Sequence, residues 1–226
     1  APAAMEGVPT TDAVLALALA PPALADEAFV ADQAAGAAKD SLARFNDAVT
    51  AGEGARVPQA IEAAAAIGIL PGGHALTAFV RAASALAARS EADVSTTIVC
   101  AAATAVGENC AEAVAIGGAV TDLVAMGLPD AGAQGWSVPV VSAAIGATVA
   151  AGVMLGLPES QLRAAIGIAA TQAAGLSSAA GTDAGPLQAG KAAFNAVEAA
   201  LLAQRGFTSS PQPLEGRRGL CGLFAK

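Results

Sequence analysis

Apolar residues recur along this chain at three- and four-residue spacing, in runs that prolines and glycines repeatedly interrupt. Pro21-Pro22, Pro58, Pro71-Gly72-Gly73, Pro129, Pro139, Pro158, Pro186 and the Pro211/Pro213 pair mark the breaks, because proline cannot continue a helix interior. Between them the pattern predicts helices over 11–20, 25–50, 58–69, 74–90, 93–106, 110–127, 138–156, 159–175 and 187–205. The clearest start is LGLPESQLRAAIGIAA, where Pro158 stands at or near the first turn and Glu159 favours the positive helix end. Leu162, Ile166 and Ala169 then form one stripe, so that helix buries one face. In the later run GTDAGPLQAGKAAFNAVEAALLAQRGF, Leu187, Phe194, Val197 and Leu201 recur on one side. Gln188, Lys191, Asn195 and Glu198 share another, which meets water or a ligand.

Composition sharpens this into an all-α expectation: an Ala-rich multi-helix bundle. The 226 residues are 55% hydrophobic but only 3% aromatic, without tyrosine, a mixture that favours closely packed helices over sheet. One domain is expected over 1–226, with peripheral N-terminal helices over 1–56 and the core over 57–226. AGEGAR at 51–56 is the weakest point, and the more basic ending PQPLEGRRGLCGLFAK reads as an exposed flap of the same domain. The charge-free segment from Ala131 to Pro158 is long enough to span a bilayer. Its Ala and Gly contribute little transfer energy, however, and no Lys/Arg cluster flanks it, so it reads as a buried core helix. APAAMEG has no positive n-region, so no signal peptide is expected.

A net charge of −8 without a basic run disfavours nucleic acid and membrane surfaces as partners. Cys100, Cys110 and Cys221 lack CxxC spacing and suit a reducing cytoplasm, with no disulfide framework or zinc site. His74 is the single histidine, which excludes a multi-histidine metal cage, and no cofactor is expected. GxSxG and GxxxxGK[ST] motifs are absent as well. What remains is sparse. His74 follows Pro71-Gly72-Gly73 at a predicted helix start, where proton transfer is physically possible; the competing reading is a surface or capping histidine. Trp136 is either core or a cavity wall, and Ser137 beside it caps the next helix or donates a hydrogen bond. Thr182, Asp183 and Gly185 precede Pro186 at a helix start, where Asp183 serves as a cap or as a catalytic group. Lys191 reads as a solvated side chain paired with a neighbouring acid.

GWSVPVVSAAIGATVAAGVMLGLPESQLRAAIGIAATQAAGL, followed by GTDAGPLQAGKAAFNAVEAALLAQRGFTSSPQPLEGRRG, resembles the helical domain of the MmgE/PrpD family. That family includes 2-methylcitrate dehydratase, cis-aconitate decarboxylase and iminodisuccinate epimerase. The similarity spans residues 135–219 closely and 93–128 more loosely. It implies a helical N-terminal domain and a site built from Trp136, Ser137, Thr182, Asp183 and Gln188. It also implies dimerisation through helices and, in family members, a second α+β domain that this sequence is expected to lack.

The departures bear on chemistry. Gly185 stands where the family's GT-M-T-K turn places Lys, Gln188 where it places His, and Ser137 where a His follows glycine-aromatic. The family's His-Pro ahead of the middle helix falls at Ala92-Asp93. His74-Ala75-Leu76 matches the family's His-Ala-Leu, but Thr77, Phe79 and Val80 follow where carboxylates belong. Family enzymes act on di- and tricarboxylates, and one missing acid or base costs about 100- to 10,000-fold in rate. Ordinary methylcitrate dehydration is therefore not expected. The expectation is a repurposed lyase, isomerase or cyclase acting on a small, weakly charged metabolite. Asp183 and His74 are its candidate catalytic residues, and Trp136, Ser137, Thr182, Gln188 and Lys191 its candidate binding residues. The alternative is a non-catalytic subunit that dimerises with itself or with a full-length relative.

Overall fold

The protein is described by a computed structural model over residues 8–19, 25–88 and 93–224. The reading of 1–7 as lacking a signal peptide, the Pro21-Pro22 break, Ala92 and Lys226 lie outside the described residues.

All nine expected helices form: α1 (Thr11–Leu19), α2 (Ala25–Gly52), α3 (Arg56–Ala66), α4 (His74–Ala88), α5 (Val94–Val106), α6 (Ala111–Met126), α7 (Val138–Met154), α8 (Glu159–Ala170) and α9 (Ala184–Gln204). A short 3₁₀ turn at Ser177–Ala179 and a small helix α10 (Leu220–Phe224) complete the described elements. The chain is all-α, with no strand among the described residues.

The long charge-free segment is α7, and it is the centre of the bundle. Every residue from Val140 to Gly152 is buried, with α5, α6, α8 and α9 packed around it. Small side chains make this possible. At Gly117 of α6 a Cβ would come within 2.8 Å of the Gly146 carbonyl on α7, so the two backbones touch where neither residue carries a side chain. Hydroxyls buried in this core turn back onto their own helices: Thr148 donates to the Ala144 carbonyl at 2.7 Å and Thr121 to the Gly117 carbonyl at 2.8 Å. Their polar groups thus stay satisfied away from water. At 17 residues, α7 is a core helix; no helix among the described residues is long and apolar enough to cross a membrane.

Three expectations change. The division into a peripheral 1–56 and a core 57–226 does not describe how the core is shared, since α1 buries Val14 and Leu15 while α2 contributes Ala38, Phe45, Ala48 and Val49. AGEGAR is a tight turn, closed by the Ala55 amide donating to the Gly52 carbonyl at 2.9 Å; at Gly52 a side chain would collide with the Ser84 carbonyl of α4. The C-terminal segment is no flap. Leu214, Leu220, Cys221 and Phe224 are buried, and the Glu215 carboxylate accepts from both the Thr11 amide (3.0 Å) and the Thr11 hydroxyl (2.6 Å) at the start of α1.

Helix ends near the candidate site also move. α8 stops at Ala170 instead of reaching 175, and α9 starts at Ala184, ahead of the expected 187. Pro186 fits inside that first turn because the early N–H groups of a helix need no intrahelical partner. Residues 171–183 are thereby released to form an irregular connection, and this connection builds one wall of the site.

Candidate functional site

The connection is held by tertiary bonds. Trp136 and Leu176 form an isolated antiparallel bridge. Around it, the Ser177 amide donates to the Gly135 carbonyl (2.9 Å) and the Ser137 amide to the Gly175 carbonyl (3.1 Å). The Ser177 hydroxyl donates to the Trp136 carbonyl at 2.9 Å. From α9, Gln188 accepts from the Leu176 amide at 3.0 Å and donates to the Leu176 carbonyl at 3.2 Å. The start of α7, the 171–183 connection and the start of α9 are thus fastened into one unit.

Between this unit and the start of α3 lies a cleft of about 730 Å³, a size suited to a small molecule. Trp136, Ser137, Thr182, Asp183 and Gln188 all line it, together with apolar surface from Val57, Leu86, Val94 and Val140. Trp136 is half-buried and combines both of its readings. Its indole packs edge-on against Phe224 with centroids 5.1 Å apart, and it also forms cleft wall. Ser137 is the N-cap position of α7 but makes no side-chain capping bond, so its hydroxyl is not committed to the helix.

Asp183 and Thr182 exchange the roles that their order suggests. Asp183 occupies the N-cap position of α9 without a side-chain cap. Instead it forms an ion pair with Arg56 at the first residue of α3. Thr182 supplies the local bond, accepting from the Ala184 amide at 3.3 Å while donating to the Ala179 carbonyl at 2.8 Å.

Two candidates stand apart from the cleft lining. His74 begins α4, and its Nδ1 is 2.7 Å from the Ala105 carbonyl. A carbonyl only accepts, so Nδ1 carries the proton in this bond, and the ring closes the last turn of α5. Lys191 is not paired with an acid in the expected manner: its Nζ sits 3.9 Å from the centre of the Phe194 ring. Burial lowers its pKa, against the opposing charge of Glu198. Lys191 faces a second depression of about 710 Å³, an apolar groove walled by Ile61, Ile69, Leu70, Phe79 and Leu187. Arg56, Val57 and Asp183 line both the groove and the cleft.

Arg56 is the residue that sequence reasoning missed. A signal was present, since a cation at a helix N-terminus opposes the helix dipole and gains from an acid facing it. The chemical inventory of the cleft is then short. Gln188 is bonded to Leu176 and Thr182 to its own turn, Asp183 and Arg56 are paired with each other but exposed, and the Ser137 hydroxyl makes no capping bond. No group of three His, Cys, Asp or Glu side chains suited to a metal ion occurs among the described residues.

A family model, the MmgE/PrpD N-terminal domain, matches residues 65–226. No curated protein matches the chain. The matched span contains Trp136, Ser137, Thr182, Asp183 and Gln188, whereas Arg56 precedes it.

Proposed function

Since the chain belongs to the MmgE/PrpD family, matched through its N-terminal domain, we propose that its cleft binds a small, weakly charged metabolite and promotes a lyase, isomerase or cyclase type of reaction. The observation that carries this reading is convergence. Residues 136–137, 182–183, 185–186 and 188 meet around one cleft, and their exposed polar groups could orient a ligand beside an apolar wall. Asp183 is the group suited to accept a proton, and Ser137 is suited to hold a polar end of the ligand. With so few acid/base groups, much of the effect would come from fixing a reactive conformer. His74 has no part in this proposal, because its ring is engaged with the end of α5.

The test is untargeted. A cell metabolite extract is incubated with the wild-type protein and with Asp183→Asn, and both are followed by mass spectrometry. A metabolite consumed and a product formed only by the wild type supports the enzyme reading; identical profiles for both proteins would sink it.

A second reading is a non-catalytic subunit that pairs with itself or with a longer relative. It draws on Ile67, Ile69 and Leu187, which are 75%, 68% and 46% exposed; the latter two also border the apolar groove. Light scattering of the purified protein decides whether it self-associates, and Ile69→Asp should then yield monomers. A monomeric wild type would remove the homodimer form of this reading.

A further inference from the structure

We propose that Arg56 sets the charge preference of the cleft, so that it admits a ligand with one anionic group and discriminates against one with two. This inference rests on the cleft being a ligand site. Arg56 and Asp183 are the charged side chains that line it among the described residues, and they pair across the seam between α3 and α9. A guanidinium carries five N–H donors, of which one carboxylate engages two in a fork. The Arg56 side chain is 84% exposed, so its remaining donors are open to a second acceptor. A ligand carboxylate therefore binds Arg56 without displacing Asp183.

Within the cleft, a second anionic group on the same ligand finds no further cation among the lining residues. Gln188 is neutral and turned toward Leu176, and Lys191 lies in the groove against Phe194. The nearest charge left is Asp183, which repels it. Arg56 also belongs to the wall shared by cleft and groove; Lys191 lines the groove alone, so the one-anion preference applies to a ligand held within the cleft. Because Arg56 precedes residue 65, the selectivity arises outside the span matched by the family model.

Dissociation constants for benzamide, benzoate and terephthalate, one ring with zero, one and two carboxylates, test this by calorimetry. The proteins are the wild type, Arg56→Ala, Arg56→Lys and Asp183→Asn, with circular dichroism confirming that each folds. Benzoate should bind the wild type more tightly than either other probe. Arg56→Ala should weaken benzoate by about threefold to tenfold and leave benzamide unchanged, while Arg56→Lys retains most of the preference. Asp183→Asn, which frees the cation, should strengthen terephthalate. An equal loss of benzamide and benzoate in Arg56→Ala, or terephthalate binding unmoved by Asp183→Asn, overturns the proposal while leaving the cleft a ligand site. If none of the three probes binds the wild type saturably, the cleft reading falls and this one falls with it.

Discussion

The side-chain amide of Gln188 closes on both polar atoms of the Leu176 peptide, accepting from its N–H at 3.0 Å and donating to its C=O at 3.2 Å. One residue of α9 thereby substitutes for a neighbouring strand, completing the pairing that Trp136 begins on the other side of Leu176. The position where the family resemblance places a histidine is in this chain a structural clamp, and the wall of the cleft depends on it.

Gln188→Ala should therefore loosen the 171–183 connection more than the helices. Net hydrogen-bond contributions of this kind are about 1 kcal/mol, which in a domain of this size lowers Tm by about 2 to 4 °C. Hydrogen exchange at the Leu176 amide should accelerate well beyond that of α7. Unchanged protection at Leu176 would contradict the clamp.

His74→Ala should cost stability and spare the cleft. Its loss leaves the Ala105 carbonyl without the imidazole N–H, a change of about 0.5 to 1.5 kcal/mol in chemical denaturation. Ligand affinity and any turnover should match the wild type. A loss of turnover without a loss of stability would restore His74 as a catalytic candidate.

Gly190→Ala should be among the most damaging small substitutions. A Cβ there would lie 2.5 Å from the Phe79 ring and 2.8 Å from the Phe79 carbonyl, and α4 and α9 are extensively packed. Overpacking of this sort costs about 1 to 3 kcal/mol. Denaturant titration should show the shift, and Gly190→Ala at wild-type stability would mean that the two helices are less closely apposed.

Alkaline pH should destabilise the fold through its cysteines. Burial is the main force raising the Cys100 thiol from 9.0 to about 12 and the Cys221 thiol from 9.0 to about 11. The folded state holds these protons more tightly than the unfolded chain, so this contribution is complete below about pH 9 and is lost as pH rises through the folded values. Cys100→Ala should flatten part of that decline in a pH series of unfolding curves. Native thiols should also resist alkylation at pH 8 and react on unfolding; ready labelling of the native protein would contradict their burial.

The helices were legible because their boundaries are local. Pro158 and Glu159 announce α8, and Asp93 caps α5 by accepting from the Ser95 amide at 3.0 Å. The end of α8 and the start of α9 were not legible, because both depend on tertiary bonds from Gln188 and Trp136 to a connection with little local preference. The cleft was legible in part. The resemblance gathered Trp136, Ser137, Thr182, Asp183 and Gln188, which line one cavity. The partner of Asp183 was hidden, since Arg56 lies far earlier in the chain and meets it only through packing of α3 on α4. Lys191 is exposed, as a solvated side chain would be, but in place of an acid the ring of Phe194, three residues on, lies 3.9 Å from its Nζ.

Trp136 is the only tryptophan and lines the cleft, so its emission reports whether this cavity holds a ligand. A panel of neutral and singly charged metabolites should be titrated against the wild type and Asp183→Asn. A saturable change in Trp136 emission is expected for at least one member, with an altered dissociation constant in the variant. If no member gives a saturable change, or if every affinity is identical in Asp183→Asn, the cleft is not the site described.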